Sequence, residues 1–366
     1  MLRIIFASIL VIHSLLHLIG VSKEWTTGPY GQRSDETLVN TSGNTSKITG
    51  AVWLLASILF LSGAAGFLLQ KDWYWIPAAV ALLISQILIM VDWQDAKYGT
   101  IVNIAILVVV VFSAAAMCFD RKVQREVDSI RHQAMKNDRM ISEEMVSKLP
   151  KNVQRWMRES NVVGRKTRNV IRVLQKGSMR TKPESKWMPF EAIQYFSIEP
   201  PAFLWSANIK PAPLFTIAGR DKYQDGEGNM LIKPLYLFTA ADSRGKEINQ
   251  GTLLRYMAEM AWFPQAAASK YLQWEFIDDH HAKVTMDYGG TTASGIYVFN
   301  DDGGVAGFEA LRFGDFEGDY RLEKWSVATT GYKNFNGILV GHKNEVTWKL
   351  KEGDFKWLKI EITTMD

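Results

Sequence analysis

Cysteine is nearly absent from this chain, and its scarcity narrows the kinds of site that the sequence can hold. Cys118 is the single cysteine in 366 residues. An intrachain disulfide is therefore excluded, and so is a metal site built from several cysteines. No metal or cofactor is indicated by any other motif in the sequence.

Familiar catalytic motifs are absent as well. The sequence contains no GxSxG nucleophile elbow, no HExxH pair, no P-loop and no Rossmann glycine fingerprint. Arg220, Asp221, Tyr223, Arg255 and Glu259 are the catalytic candidates if the fold brings them together in a cavity. Glu259 follows Arg255 by four residues, however, and an exposed ion pair on one helix face explains that spacing. An enzymatic function is therefore not the favoured interpretation.

Charge is scarce in residues 1–120, which hold six Lys/Arg and seven Asp/Glu, nearly all between long apolar runs. A helix needs about 20 apolar residues to cross a bilayer core about 30 Å thick. Four runs approach this length: 4–21, 48–69, 73–91 and 101–119. The pattern predicts a four-helix transmembrane domain over residues 1–120.

The positions of Lys and Arg near the ends of these runs predict an orientation. The side shared by the N-terminus and the C-terminal part carries Arg3, Lys71, Arg121, Lys122, Arg125 and Arg131, and the opposite side carries Lys23, Arg33, Lys47 and Lys97. Positive charge is enriched on the cytoplasmic side of membrane proteins. We expect a multi-pass protein of the bacterial inner membrane with both termini in the cytoplasm.

Polar side chains inside apolar helices are costly, and their positions are therefore informative. In an up-down bundle the end of helix one, the end of helix three and the start of helix four lie at the same membrane face. One polar cluster is predicted there, made of His13, His17, Asp92, Asp95, Lys97, Thr100 and Asn103.

Two interpretations of this cluster stay open. It is a metal, quinone or proton site at the outer end of the bundle, or it is a tight interfacial turn with hydrogen bonds between helices. A haem held by both His13 and His17 is disfavoured, because two histidines one turn apart on a helix cannot bind one iron from opposite faces.

Residues 121–165 form a basic helical connector in this interpretation. Residues 121–190 hold eighteen Lys/Arg against seven Asp/Glu, whereas residues 191–366 hold eighteen against twenty-four. Basic residues beside a membrane span interact with anionic lipid headgroups. No nucleic-acid-binding motif accompanies the charge, so the lipid bilayer is the expected partner and nucleic acid is not. Protein partners are not indicated.

Residues 166–366 alternate between strand-like segments and turn signals, which predicts about ten short antiparallel strands in a soluble domain. Many strands in succession favour a strongly curved sheet or half-barrel. Residues 251–262 have helical spacing, and residues 264–271 resemble a second helical turn. The predicted fold class is thus an α+β membrane protein, with a helical hairpin inserted into a curved antiparallel sheet.

A helical hairpin over the concave face of such a sheet can enclose an apolar cavity. The candidate ligand-binding residues are Trp205, Arg220, Asp221, Tyr223, Arg255, Tyr256, Glu259 and Trp262. The leading hypothesis is a membrane-tethered module that binds a lipid or other apolar ligand. An ordinary aromatic core explains the same residues, and a structural or interaction protein is the remaining alternative.

Several motifs resemble a bacterial, membrane-anchored family of unknown function. They are LPKNVQRWMRESNVVG at 149–164, PPAFLW at 200–205, GRDKY at 219–223, QGTLLRYMAEMAWFP at 250–264, TTASG at 291–295 and, in the membrane portion, DAKYGT-x-x-N at 95–103. The resemblance implies no activity. In strand pattern alone, the soluble part is also similar to the half-barrels that carry lipids or lipoproteins in bacterial envelopes.

Overall fold

The computed structural model describes residues 2–25, 43–134, 139–316 and 318–366. The chain divides into two compact units, Met1–Phe119 and Asp120–Asp366. The loop between the first two helices, residues 26–42, lies outside the described residues.

The first unit is a bundle of apolar helices. Its elements are α1 (Leu2–Trp25), α2 (Gly43–Leu68), α3 (Trp75–Val91), the short α4 (Trp93–Ala96) and the first part of α5 (Gly99–Gln133). The helices pack closely where glycines allow it: a Cβ atom on Gly20 would lie 2.4 Å from the Trp53 ring. Phe60, Ala81 and Ile106 are fully buried where α2, α3 and α5 meet.

Three of these helices are long and apolar enough to cross a membrane: α1, α2 and α5. The third predicted span corresponds to α3, which is apolar but has 17 residues. The structure therefore supports three of the four expected spans by length and composition, and α3 falls short of the usual length.

The predicted connector consists of several elements. Its first part continues α5 without interruption to Gln133. After residues 135–138, which are not described, it forms β1 (Arg139–Met140), α6 (Glu143–Ser147) and α7 (Lys151–Glu159). Pro150 lies between α6 and α7 and separates them. A proline is unfavourable inside a helix, because it lacks the backbone N–H that the helix interior needs. Val146, Val153 and Trp156 are buried, as their spacing on one face predicts.

The second unit is built on one open antiparallel sheet of 13 strands. A separate pair joins β1 to β2 (Lys166–Thr167). The strands of the large sheet are β3 (Val170–Met179), β4 (Met188–Ser197), β5 (Ala202–Ala212), β6 (Phe215–Gln224), β7 (Glu227–Pro234), β8 (Ala241–Ser243), β9 (Leu272–Asp278), β10 (His281–Tyr288), β11 (Thr291–Phe299), β12 (Val305–Phe316), β13 (Asp319–Phe335), β14 (Ile338–Leu350) and β15 (Gly353–Met365).

The order of the strands across the sheet is β8-β7-β6-β5-β4-β3-β15-β14-β13-β12-β11-β10-β9. Two runs of hairpins thus form two wings, and β3 pairs with β15 where the wings join. The predicted antiparallel sheet is confirmed, with more strands than the ten expected.

The sheet curls until its two wings touch. The β6–β7 turn meets the β10–β11 turn so closely that a Cβ atom on Gly226 would lie 2.4 Å from the Cα atom of Gly289. Both glycines also have positive φ values, 83° and 60°. Turns that are far apart in strand order can meet in this way only if the sheet bends strongly between them.

The helical insertion connects the two edges of the sheet. It begins after β8 as α8 (Lys246–Glu259) and continues through two 3₁₀ turns, Met260–Trp262 and Pro264–Ala268, into β9. Because β8 and β9 are opposite edge strands, this segment passes over the concave face. The predicted insertion exists, but its helix begins five residues before Gly251 and its second part is a 3₁₀ turn.

The contact between the two wings generates a prediction about stability. Gly226→Ala should destabilise the full-length protein more than Gly290→Ala. Both alanines would adopt a left-handed conformation at a cost of about 1–2 kcal/mol. The Cβ atom at position 226 would also meet backbone atoms of the other wing, whereas nothing lies within 4 Å of a Cβ atom at position 290. Overpacking adds roughly 1–3 kcal/mol. Thermal unfolding in detergent measures the difference, and equal stability of the two variants would contradict the close approach of the wings.

Candidate functional site

The pleat of β6 separates two residues that the sequence analysis placed in one site. Arg220 faces the outer side of the sheet, where its Nε lies 3.2 Å from a carboxylate oxygen of Glu126 on α5. Asp221 faces α8 on the concave side. Successive side chains of a strand point to opposite faces. The structure therefore does not bring Arg220 together with Asp221 and Arg255 on the concave side.

Arg255 on α8 is the centre of a buried polar network on the concave side. Its Nη1 donates to a carboxylate oxygen of Asp221 at 2.7 Å, and its Nε donates to Glu259 at 2.8 Å. The guanidinium lies over the rings of Phe203 and Trp205, with centroid distances of 5.1 and 5.2 Å. Arg255 thus joins α8 to β5 and β6 through both charge and ring contacts.

The network continues across three strands through side chains that the sequence analysis missed. Gln194 on β4 donates to Glu259 at 2.7 Å, and Gln175 on β3 donates to Gln194 at 2.9 Å. The indole N–H of Trp205 donates to Gln175 at 3.0 Å. Both glutamines occupy inward positions of strands that are otherwise apolar there, and this is the signal that could have identified them.

The ion pair between Arg255 and Glu259 is buried, and the expectation of an exposed pair was wrong. The side chain of Arg255 is 15% exposed, that of Glu259 11% and that of Asp221 1%. Burial raises the pKa of Glu259, and Arg255 opposes that shift. One carboxylate oxygen of Asp221 has no hydrogen-bond partner among the residues that the structure describes. A buried ion pair stabilises a fold less than its Coulomb energy suggests, because both charges lose their hydration.

A second arginine approaches α8 from the other wing. Arg312 on β12 donates from Nε to the carbonyl oxygen of Gly251 at 3.0 Å. Burial lowers the pKa of Arg312 to about 10, although the carboxylates of Asp221 and Glu259 act in the opposite direction. Gln250 donates to the carbonyl of Leu311 at 2.9 Å. We call three contacts the polar latch of α8. Arg255 pairs with Asp221, Arg312 donates to the carbonyl of Gly251, and Gln250 donates to the carbonyl of Leu311.

The remaining predicted residues lie among the aromatic side chains between α8 and the sheet. The Tyr256 hydroxyl donates to the carbonyl of Ser197 at 3.0 Å, and the Trp262 ring packs edge-on against Phe196. Tyr223 is fully buried and its hydroxyl has no hydrogen-bond partner. Burial raises the pKa of Tyr223, so its hydroxyl stays protonated. Tyr223, Tyr256 and Trp262 therefore form one continuous wall with Trp205 and the polar network, between α8 and the sheet.

In the first unit, the structure brings together only part of the predicted polar cluster. A ring nitrogen of His13 lies 2.8 Å from the amide oxygen of Asn103. Asn103 also bonds to Ser85 and Gln86 on α3, and Gln86 donates to Thr100 at 3.2 Å. These are hydrogen bonds between helices, of the kind that joins helices within a membrane.

Asp92, Asp95 and Lys97 make contacts outside this hydrogen-bonded group, whereas the His17 ring packs edge-on against His13, with ring centroids 4.7 Å apart. Lys23 pairs with Asp95 at 2.6 Å and lies 3.9 Å from Asp92, while the ammonium of Lys97 lies over the Tyr98 ring. His17 bonds through one ring nitrogen to the backbone carbonyl of His13, one turn earlier. Among the described residues, no group of three or more His, Cys, Asp or Glu side chains could hold a metal ion.

The raised pKa of Glu259 predicts a pH dependence. A carboxyl group whose pKa is higher in the folded state stabilises the fold fully below about pH 4, and this contribution is lost as the pH rises through the raised pKa. Glu259→Gln removes the titration, so the stability of this variant relative to wild type should increase with pH, by about 1.4 kcal/mol for each unit of pKa shift. Unfolding from pH 4 to 8 measures it. Glu247→Gln, in the first turn of α8, is the control, and parallel profiles for wild type and Glu259→Gln would refute the prediction.

Comparison with known proteins gives a family but no activity. No curated protein matches this chain. Two solved structures are similar to this chain, each over 58% of its length and at 11% sequence identity. One is a DUF1329 family protein from Desulfovibrio piger, of which 90% is covered, with a TM-score of 0.34. The other is a LolA superfamily protein from Nitrosomonas europaea, of which 92% is covered, with a TM-score of 0.32. The model of a family of unknown function, DUF6920, matches residues 147–366. This chain therefore belongs to the DUF6920 family.

Proposed function

We propose that this protein is a membrane-tethered module whose β-domain binds a lipid or other apolar ligand between the concave face of its sheet and α8. The observation that carries the proposal is the aromatic wall beneath α8. Its buried rings on the sheet are Phe196, Phe203, Trp205, Tyr223, Tyr297 and Phe308. Each large aromatic side chain buries about 150–250 Å², so the wall offers an extended apolar surface.

The connectivity of α8 supports its role as a lid. The helix is joined to the sheet through β8 and β9, which are the two edge strands. Each edge strand is hydrogen-bonded on one side only, and β8 has three residues. Displacing α8 therefore leaves the hydrogen bonds of the eleven inner strands intact, and the cost of opening falls on the contacts of the lid.

The polar latch supports the same role energetically. When α8 lifts, the charges of Arg255 and Asp221 regain their hydration, which offsets part of the interaction that is lost. A lid held by apolar contacts alone would have no such compensation. The latch also has directional contacts on both wings, so α8 can return to one defined position.

A photo-crosslinking experiment tests the ligand. Trp262 is replaced by a benzophenone amino acid in the full-length protein in cells, and Trp187, whose ring lies under Arg180 and Lys359, is replaced in the same way as the control. Illumination should give a lipid adduct at position 262 in excess of that at 187, detected by mass spectrometry. Crosslinks from position 262 to the protein's own peptides alone would refute an apolar ligand at this face.

The tethering part of the proposal has its own support. We infer that α1, α2, α3 and α5 all cross the bacterial inner membrane, with α3 as the shortest span, and that both termini are cytoplasmic. The length and apolar character of α1, α2 and α5 support the crossing. The dense Lys/Arg after residue 120 supports the orientation, because such charge resists translocation.

Reporter fusions test this orientation. A fluorescent protein that matures only in the cytoplasm, fused after Asp366, should fluoresce, and alkaline phosphatase at the same position should be inactive. The same two reporters fused after Leu69, at the end of the second predicted span, should behave in the same way. An active phosphatase after Asp366 would invert the topology and place the β-domain in the periplasm.

A further inference from the structure

Two loops at one end of the β5–β7 hairpins share a sequence pattern. Residues 210–216 read KPAPLFT and residues 233–239 read KPLYLFT, so five of seven positions are identical. The first contains the β5–β6 turn and the second follows β7. We call residues 211–215 and 234–238 the twin loops.

The apolar side chains of the twin loops are exposed. Leu214 is 78% exposed, Phe238 59%, Leu237 40% and Phe215 38%. Scattered exposed hydrophobic residues are ordinary on a protein surface, but a contiguous apolar patch marks an interaction site. The loops are contiguous, because the backbone N–H of Leu235 donates to the carbonyl of Thr216 at 2.7 Å.

The backbone of the twin loops is strained at large residues. Leu214 has φ = 66°, and Leu235 and Tyr236 have φ values of 53° and 61°. Glycine adopts this conformation without cost, whereas a bulky residue there is uncommon. Leu214 adopts an unfavourable backbone conformation, and its side chain is little buried within the domain. Strain of this kind at exposed apolar residues points to a contact outside the domain.

The twin loops lie at the end of the domain where α5 enters it. Gln133 of α5 donates to Asp225 at the far end of β6, and Glu126 pairs with Arg220 in the middle of the strand. Burial, together with the nearby carboxylate of Asp120, raises the pKa of Tyr236 to about 12. Within the second unit, the helix from Asp120 onwards and β6 therefore run side by side, and the twin loops lie near Asp120.

We propose that the twin loops insert Leu214, Phe215, Leu237 and Phe238 into the interface of the lipid bilayer beside α5. The inference rests on the tethering part of the proposed function and is independent of the ligand of the β-domain. A second membrane contact of this kind holds the domain in one orientation at the membrane surface, because a helix alone leaves it free to tilt.

The composition of the twin loops favours a bilayer as the occupant. Each loop follows a lysine, Lys210 or Lys233, and lysines beside a membrane are attracted to anionic headgroups. The Lys210 side chain is about half exposed, although its ammonium lies 3.7 Å from Glu191. Leucine and phenylalanine beside lysine are the residues that interfacial segments use to enter the boundary between headgroups and acyl chains. Tyr236 anchors its loop, because its hydroxyl donates a hydrogen bond to Asn208 at 2.7 Å. The neighbouring Leu237 and Phe238 side chains are exposed to solvent.

Depth measurement in a bilayer tests the inference. The full-length protein carrying Cys118→Ala is reconstituted into vesicles of phosphatidylcholine and phosphatidylglycerol, with a single new cysteine bearing an environment-sensitive dye. The positions are Leu214→Cys, Phe238→Cys and the control Glu227→Cys. Glu227 is exposed and begins β7, about 25 Å from Pro234 at the other end of that strand. Lipids with a quenching group near the headgroup or near the methyl end report the depth.

Dyes at 214 and 238 should be quenched most strongly by the shallow quencher, at a depth of about 5–10 Å, and the dye at 227 should be quenched by neither. Equal quenching at all three positions would overturn the inference. Resistance of the protein to alkaline extraction is measured on the same vesicles. An extractable protein refutes both the tether and the inference, whereas an embedded protein with unquenched dyes refutes the inference alone.

Discussion

Arg255 carries a positive charge that is largely shielded from water, with 15% of its side chain exposed, and several contacts of α8 follow from how that charge is satisfied. Two carboxylates, on β6 and on α8 itself, neutralise the guanidinium, and two aromatic rings of β5 cover it. The second carboxylate then needs a donor, which Gln194 supplies, and Gln194 in turn binds Gln175. The position of α8, the register of its contacts and the polar residues on three strands are thus consequences of one buried charge.

The same interaction also bears on how α8 is held against the aromatic wall. An entirely apolar interface between α8 and the sheet would be more stable, since a buried ion pair is often no better than well-packed hydrophobic residues. Its polar network instead fixes where α8 lies, because hydrogen bonds require direction and distance whereas apolar contacts do not.

Features set by local interactions were predictable from the sequence, whereas features set by contacts between distant segments were not. Apolar runs and period-two alternation are local, so the long helices, the antiparallel sheet and the inserted helix near Gly251 were predictable. The pairing of Arg255 with Asp221 depends on which face of β6 turns inward, and no local pattern separates Arg220 from Asp221. Likewise, His13 forms a hydrogen bond with Asn103, whereas Asp92 and Asp95 lie beside Lys23. Which of these partners meet depends on how the helices are rotated about their axes. Gln175 and Gln194 are single polar residues in apolar strands, and their role appears only when four strands are aligned.

The pairing of β3 with β15 has a consequence for biosynthesis. These strands lie at the centre of the sheet, yet about 180 residues separate them in the chain. Contacts between distant segments form late, because a long loop must close first. The ribosome therefore releases the first wing, with its aromatic face, well before β15 exists to complete the sheet. Until then that face has no partner on one side, and exposed apolar surface of this kind makes a nascent domain prone to aggregation.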